Sequence, residues 1–410
     1  MRPFSVVLSL LLTASLAYYV YTPLPDGVQE PWKLVLLAAT IRTVSNFAAL
    51  KHRLGLGHYV SSIRQFRETL LESDADEEFV PAVKVSDVTF SGVPLRVYEA
   101  SGGEGSLRRG LVYFHGGGWA FGSAKKGSYD KVTRIVSAEL NAVVVSVEYR
   151  LYPEVQFPEP YLDCLAAAKY FLSAEVLSKY SVDPERVGVS GDSAGGNLAA
   201  AVAQEISQDS SVTVKFSVQA LIYPALQALD FSTPSALQNH NVPVLYRSSL
   251  VQFWMQYLGV ELSLREPFSS NQHSSLQQPL LTPELRARFD WTLLLPPERR
   301  KNHRPVVADQ GLEGILETVL ALLDVRASPL LARSEVLSKC PKAYILTCEF
   351  DVLRDDGLMY ARRLRDAGVQ VTSAHYECFH GCFSLLFWPV EFDVGKTALA
   401  NYIDWLRDSL

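Results

Sequence analysis

The chain has 410 residues, with little cysteine and no excess of basic charge. Its five cysteines, Cys164, Cys340, Cys348, Cys378 and Cys382, are too few and too irregularly spaced for a disulfide framework. They leave room for one or two bridges in an extracytoplasmic domain. Cys378 and Cys382 flank His380, but that spacing matches no zinc pattern, and no metal or other cofactor is expected. Lysine and arginine number 38 against 44 acidic residues, a formal net charge of −6. Without a basic stripe carrying interleaved aromatics, no nucleic-acid partner is expected. Internal repeats and low-complexity tracts are also missing. With 48% apolar residues the chain is no disordered segment, and its length suits one large domain with insertions or two domains.

Long uncharged runs are confined to the N-terminus. "FSVVLSLLLTASLAYYVYT", Phe4 to Thr22, would reach roughly 28 Å as a helix, about a bilayer core. Tyr18, Tyr19 and Tyr21 stand at one end, as in an aromatic belt. Two readings stay open: an uncleaved signal anchor, or a signal peptide cut after Ala17, where Ser15 and Ala17 make a small-residue site. The next apolar stretch, from Trp32 on, is interrupted by Arg42. It reads as a helix on the membrane or over the active site, or as an ordinary packing helix. The expected division is an anchor and its flank over 1–25, a membrane-proximal helical segment over 26–80, and one domain over 81–410.

An acidic connector, Glu72 to Glu78, precedes that domain. Strands and helices then alternate. A hairpin opens with a turn at Ser91-Gly92, "GLVYFHGG", "NAVVVSVEYR" and "KFSVQALIYPAL" read as continuous apolar strands, and "ERVGVSGDSAGGNLAAAVAQEISQ" reads as strand, sharp turn and helix. Such strands belong in a mainly parallel sheet covered on both faces, and the alternation predicts a doubly wound α/β fold. From about Leu226 to Lys339 no buried strand is predicted. This reads as a helical cap insertion over the carboxyl edge of the sheet, where open α/β sheets bind ligands.

"VGVSGDSAGGNLAA" contains G-x-S-x-G as Gly191-Asp192-Ser193-Ala194-Gly195, with a strand before it and a small-residue helix after it. That context predicts a nucleophile elbow with Ser193 at its tip. "HGGGW" ends an earlier strand. Consecutive glycines let bare backbone approach a developing oxyanion, so Gly116 and Gly117 are expected N–H donors, joined by Ala194. His115 and Gly118 support that loop, with His115 orienting it rather than acting as base. The acid and base should follow in the order Asp, His. Asp351 directly follows the strand "KAYILTCEF", and His380 sits just after "VQVTSAHYECF". Asp355 and Asp356 read as cap residues of the next helix, and His375 as a strand residue.

"HGGGW", "GDSAGGN", "EYRLYPE", "DVLRDDG" and "FHG" together resemble the hormone-sensitive-lipase branch of the α/β-hydrolases. The N-terminal apolar segment and the chain length resemble its arylacetamide deacetylase and neutral cholesterol ester hydrolase group. The resemblance covers essentially the whole chain. It implies an α/β-hydrolase fold, a serine carboxylic-ester hydrolase acting on apolar acyl esters or arylamides, and Ser193, His380 and Asp351 as its triad. It also implies a single-pass type II protein of the endoplasmic reticulum membrane with a luminal hydrolase domain. Cleavage near Ala17 would instead make it secreted. The reading from another class is a catalytically silent, membrane-tethered binding protein. Two departures stand out. Tyr152 occupies a position where the branch often has alanine, a bulky ring that would alter the pocket wall. No N-x-[ST] sequon occurs.

Overall fold

The computed structural model describes residues 3–70, 80, 83–101, 107–312, 316–386 and 391–410; side chains of 3–6, 67–70 and 316–319 are not included. The acidic connector Glu72 to Glu78 lies outside the described residues.

Three helices open the chain: α1 (Pro3–Val20), α2 (Pro31–Arg53) and α3 (Tyr59–Leu70). The hairpin β1 (Val83–Phe90) and β2 (Val93–Ala100) follows. Ser91 and Gly92 both have positive φ, 48° and 85°. That is the two-residue turn whose twist suits a hairpin. The remaining sheet is β3 (Arg108–Phe114), β4 (Ala142–Val147), β5 (Val182–Asp192), β6 (Val218–Ile222), β7 (Lys342–Phe350) and β8 (Val371–Phe379). The eight strands stand in the order β1-β2-β4-β3-β5-β6-β7-β8. β1, β2 and β4 pair antiparallel, and every later pair is parallel. Every residue of β4 and β6 is buried, as a doubly covered sheet requires.

Helices α4 (Gly127–Leu140) and Asp393–Ser409 share a core with one face of the sheet. On the other lie α5 (Glu159–Phe171), α6 (Ala174–Lys179), α7 (Ala194–Gln208) and the helix Arg354–Asp366. The crossover from β3 thus runs over one face and that from β5 over the other. Their carboxyl ends frame the switch point where such sheets hold ligands.

Among the described residues, 226–339 contains helices and turns and no strand. Its helices α8 (Pro234–Gln238) and α9 (Arg247–Leu258) come first. The later part packs against α9 and the helix Arg354–Asp366. α1 exposes a row of apolar side chains, Leu10, Leu11, Leu12 and Leu16 among them. α2 is long and apolar enough to cross a membrane, yet Leu34 and Leu37 are sealed in the core of the body. The two helices meet where Arg42 donates to the Tyr19 carbonyl and, at 3.0 Å, to Thr22 Oγ1.

Candidate active site

β5 ends at Asp192 and α7 begins at Ala194, leaving Ser193 alone between them. Its backbone sits at φ 55° and ψ −118°. For a residue with a Cβ this costs on the order of 1–3 kcal/mol, and the surroundings must enforce it. They do so by closeness. A Cβ on Gly191 would stand 2.3 Å from the Gly195 carbonyl oxygen, and one on Gly195 would stand 2.0 Å from that of Phe114. Only glycine closes this turn against β3.

The side chains nominated for the triad meet. His380 Nε2 lies 3.0 Å from Ser193 Oγ, and His380 Nδ1 lies 2.8 Å from Asp351 Oδ2. Asp351 is buried, and its other oxygen accepts from the Leu353 N–H at 2.9 Å. Asn239 Nδ2 holds the Asp351 carbonyl at 3.1 Å. The Tyr223 ring packs against the imidazole at 4.7 Å, and its hydroxyl is tied to Ser384. His375 points elsewhere and pairs with Glu349 at 2.8 Å. Asp355 and Asp356 stand in the first turn of their helix, where its dipole favours them, but neither side chain caps it. Asp355 accepts from the Ser235 N–H at 2.7 Å and pairs with Arg354, while Asp356 accepts from the Leu226 N–H at 2.9 Å. They anchor the root of the insertion, a long-range role that local spacing does not reveal.

The glycine loop differs from expectation by one residue. The Gly116 N–H donates to Asp192 Oδ1 at 2.9 Å and to the Tyr129 hydroxyl at 3.0 Å, so it is committed to structure. Gly117, Gly118 and Ala194 line the cavity with Ser193, and Gly116 does not. Among the described residues, none accepts from the N–H groups of these three. His115 is buried, its ring stacked on Tyr149 at 4.4 Å and its Nδ1 2.8 Å from the Gly116 carbonyl, an orienting position. Asp192 occupies the first x of G-x-S-x-G, a position to which the motif assigns no role. It also accepts from the hydroxyls of Tyr113 and Tyr129 at 3.0 and 3.1 Å. Burial raises its pKa, and these donors offset part of that. The signal in the sequence is a carboxylate directly before the serine, at the buried end of the strand.

Above Ser193 lies a cavity of about 840 Å³. α2 contributes Leu37, Ile41 and Val44 to it, and α3 contributes Val60 and Ile63. The early helix therefore lies over the site. Among the described residues of the insertion, those that reach the cavity lie in the stretch around α9, Leu250 and Phe253 for example. Phe253 fits because Gly118 has no side chain; a Cβ there would stand 2.7 Å from the ring. Tyr152 does not form the pocket wall. Its ring packs on the cluster of Val60, Ala120 and Phe121, and Arg64 of α3 donates to its carbonyl.

A family model for the alpha/beta hydrolase fold matches residues 111–286 and 277–384. The chain belongs to the alpha/beta-hydrolase fold family. Within that family, this α/β-hydrolase is 49% identical to neutral cholesterol ester hydrolase 1 of Mus musculus, over all of both chains. It is 44% identical to arylacetamide deacetylase of Bos taurus, over 98% of each. A solved esterase of Rhizomucor miehei superposes with a TM-score of 0.62 at 25% identity, over 85% of this chain and 90% of that one. The chain is an esterase-type hydrolase of the neutral cholesterol ester hydrolase and arylacetamide deacetylase group.

Proposed function

We propose that this α/β-hydrolase is a serine carboxylic-ester hydrolase working through Ser193, His380 and Asp351. The observation that carries the reading is the unbroken chain from Ser193 Oγ through both ring nitrogens of His380 to Asp351 Oδ2, at 3.0 and 2.8 Å. His380 Nε2 takes the serine proton as Oγ attacks the ester carbonyl. The N–H groups of Gly117, Gly118 and Ala194 receive the oxyanion, and each such donor contributes a few kcal/mol. His380 then protonates the leaving alcohol, and water releases the acyl group by the reverse path. Asp351 holds the imidazole tautomer and steadies the imidazolium. Labelling by a fluorophosphonate separates this reading from a silent binding protein, which would leave Ser193 unmodified.

The substrate we infer is an apolar acyl ester, a lipid ester among them. The apolar walls from α2, α3 and α9 support this, as does the printed name of the neutral cholesterol ester hydrolase relatives. Each methylene buried in such a cavity contributes about 0.8 kcal/mol. If that energy is realised in the transition state, kcat/KM gains roughly fourfold per methylene. Steady-state kinetics on nitrophenyl esters from acetate to octanoate should show this rise. A monotonic fall would leave a short-acyl deacetylase.

α1 is read as the membrane anchor of a type II protein of the endoplasmic reticulum, with the hydrolase domain luminal. The exposed leucines of α1 support an anchor, and the compartment rests on the family resemblance. The mature protein should begin near Met1 and stay with membranes through a carbonate wash. An N-terminus at Tyr18 would mean a cleaved signal peptide and secretion.

A further inference from the structure

Neither Cys378 nor Cys382, on the two sides of His380, has a part in ester hydrolysis. The fold adds a third cysteine to them. Cys348 lies on β7, just before Asp351, with β8 alongside. Cys348 pairs in register with Tyr376, but Phe350 pairs with Phe379. One β7 residue therefore opposes two on β8, a bulge that leaves Glu377 exposed and turns Cys378 inward. Cys378 Sγ lies 3.1 Å from Cys348 Sγ, and Cys382 Sγ lies 3.8 Å from it. The three sulfurs all lie within 4.8 Å of one another, and all three side chains are buried.

Isolated buried cysteines such as Cys164 behave as small apolar side chains. Three sulfurs in contact are a different object. Thiols are weak donors and weak acceptors, so the cluster gains little by hydrogen bonding to itself. Among the described residues, the hydrogen-bond partners of these sulfurs are one another. Burial pushes the Cys348 and Cys378 thiols well up. Burial opposes the Cys382 thiolate too, but S–H donation from the other two outweighs it and draws that thiol down. Metal–thiolate bonds of about 2.3 Å in a triangle set the sulfurs roughly 4 Å apart. The 3.8 Å edge is already near that value, and the 3.1 Å edge must open by less than the width of an atom. Among the described residues no fourth His, Cys, Asp or Glu ligand atom joins the three sulfurs. Both ring nitrogens of His380 are engaged with Asp351 and Ser193. Structural zinc takes four ligands, whereas soft thiolate sets also select Cu(I).

We propose that Cys348, Cys378 and Cys382 form a three-coordinate thiolate site for Cu(I) beneath the active site. Binding exchanges S–H for S–Cu bonds, and each thiolate formed releases one proton. Copper stays cuprous, so no electron moves. The ion ties the end of β7 to both sides of the His380 loop, and binding to the folded state alone must raise the melting temperature. This site is independent of the hydrolytic reading, and its test needs no turnover.

The test uses the full-length reduced protein under anaerobic conditions, with Cu(I) supplied from a coloured cuprous chelator. One equivalent should pass to the protein, thiolate-to-copper charge-transfer absorption should appear, and the melting temperature should rise. Cys378→Ser and Cys382→Ser should each weaken retention at least tenfold. Each stands in for the other if one fails to fold. Cys164→Ser and Cys340→Ser should retain copper like the parent. The proposal is overturned if the chelator keeps all the copper, or if the cluster variants retain it unchanged. It is equally overturned if the unreduced protein is lighter by two hydrogens, with Cys348 and Cys378 in one cross-linked peptide.

Discussion

Ser193→Ala should reduce ester hydrolysis about 10⁶-fold, to the level that the oxyanion donors and binding alone sustain. Fluorophosphonate labelling should disappear with it. Deleting Oγ removes the nucleophile and the hydrogen bond to His380 Nε2, and little else. The strained backbone at φ 55° is held by Gly191, Gly195 and the Ser193 N–H bond to the Ile222 carbonyl at 2.9 Å. None of these involves the side chain. Circular dichroism and the melting temperature of the variant should therefore match the parent. Persistent labelling in a folded Ser193→Ala protein would identify another nucleophile.

Asp351→Asn should lower kcat about 10⁴-fold, because an amide opposite Nδ1 favours the imidazole tautomer that cannot accept the serine proton. The geometry survives, so binding of a substrate analogue should change little. Asp355→Asn should behave in the opposite way. Its carboxylate is sealed from solvent and paired with Arg354, itself buried, at 3.1 Å. Breaking a buried pair costs about 3 kcal/mol or more. Arg354 keeps Glu349 and Gln238 as partners, which limits the loss. Urea unfolding should register this destabilisation, with kcat in the folded fraction near that of the parent. The comparison separates the acid of the triad from the anchor of the insertion. If Asp355→Asn abolished turnover in a stable protein, the two roles would be reversed.

The sequence by itself determined those features whose causes are local. G-x-S-x-G between an apolar strand and a small-residue helix specifies the tight turn at Ser193, because the atoms that forbid larger neighbours belong to that turn and to the adjacent strand. The β1–β2 hairpin is legible for the same reason, since Ser91-Gly92 carries the required positive φ within two residues. Continuous apolar strands alternating with helices define the doubly wound sheet. Strand ends then order Asp351 and His380 along its carboxyl edge.

Only the tertiary structure decided what depends on partners distant in the chain. Gly116 and Gly117 look alike in sequence, but Asp192, brought in from β5, claims the Gly116 N–H. The roof of the cavity comes from α2, α3 and α9, with six of the eight strands lying between α3 and α9 in the chain. Tyr152 turns to α3 because Arg64 and Val60 are there to meet it. Asp355 and Asp356 hold the insertion because Ser235 and Leu226 return to them across more than a hundred residues. The cysteine triangle needs the slip in register between β7 and β8, which no spacing announces. In each case the deciding energy is that of a contact closed by folding, and a one-dimensional pattern records only one side of it.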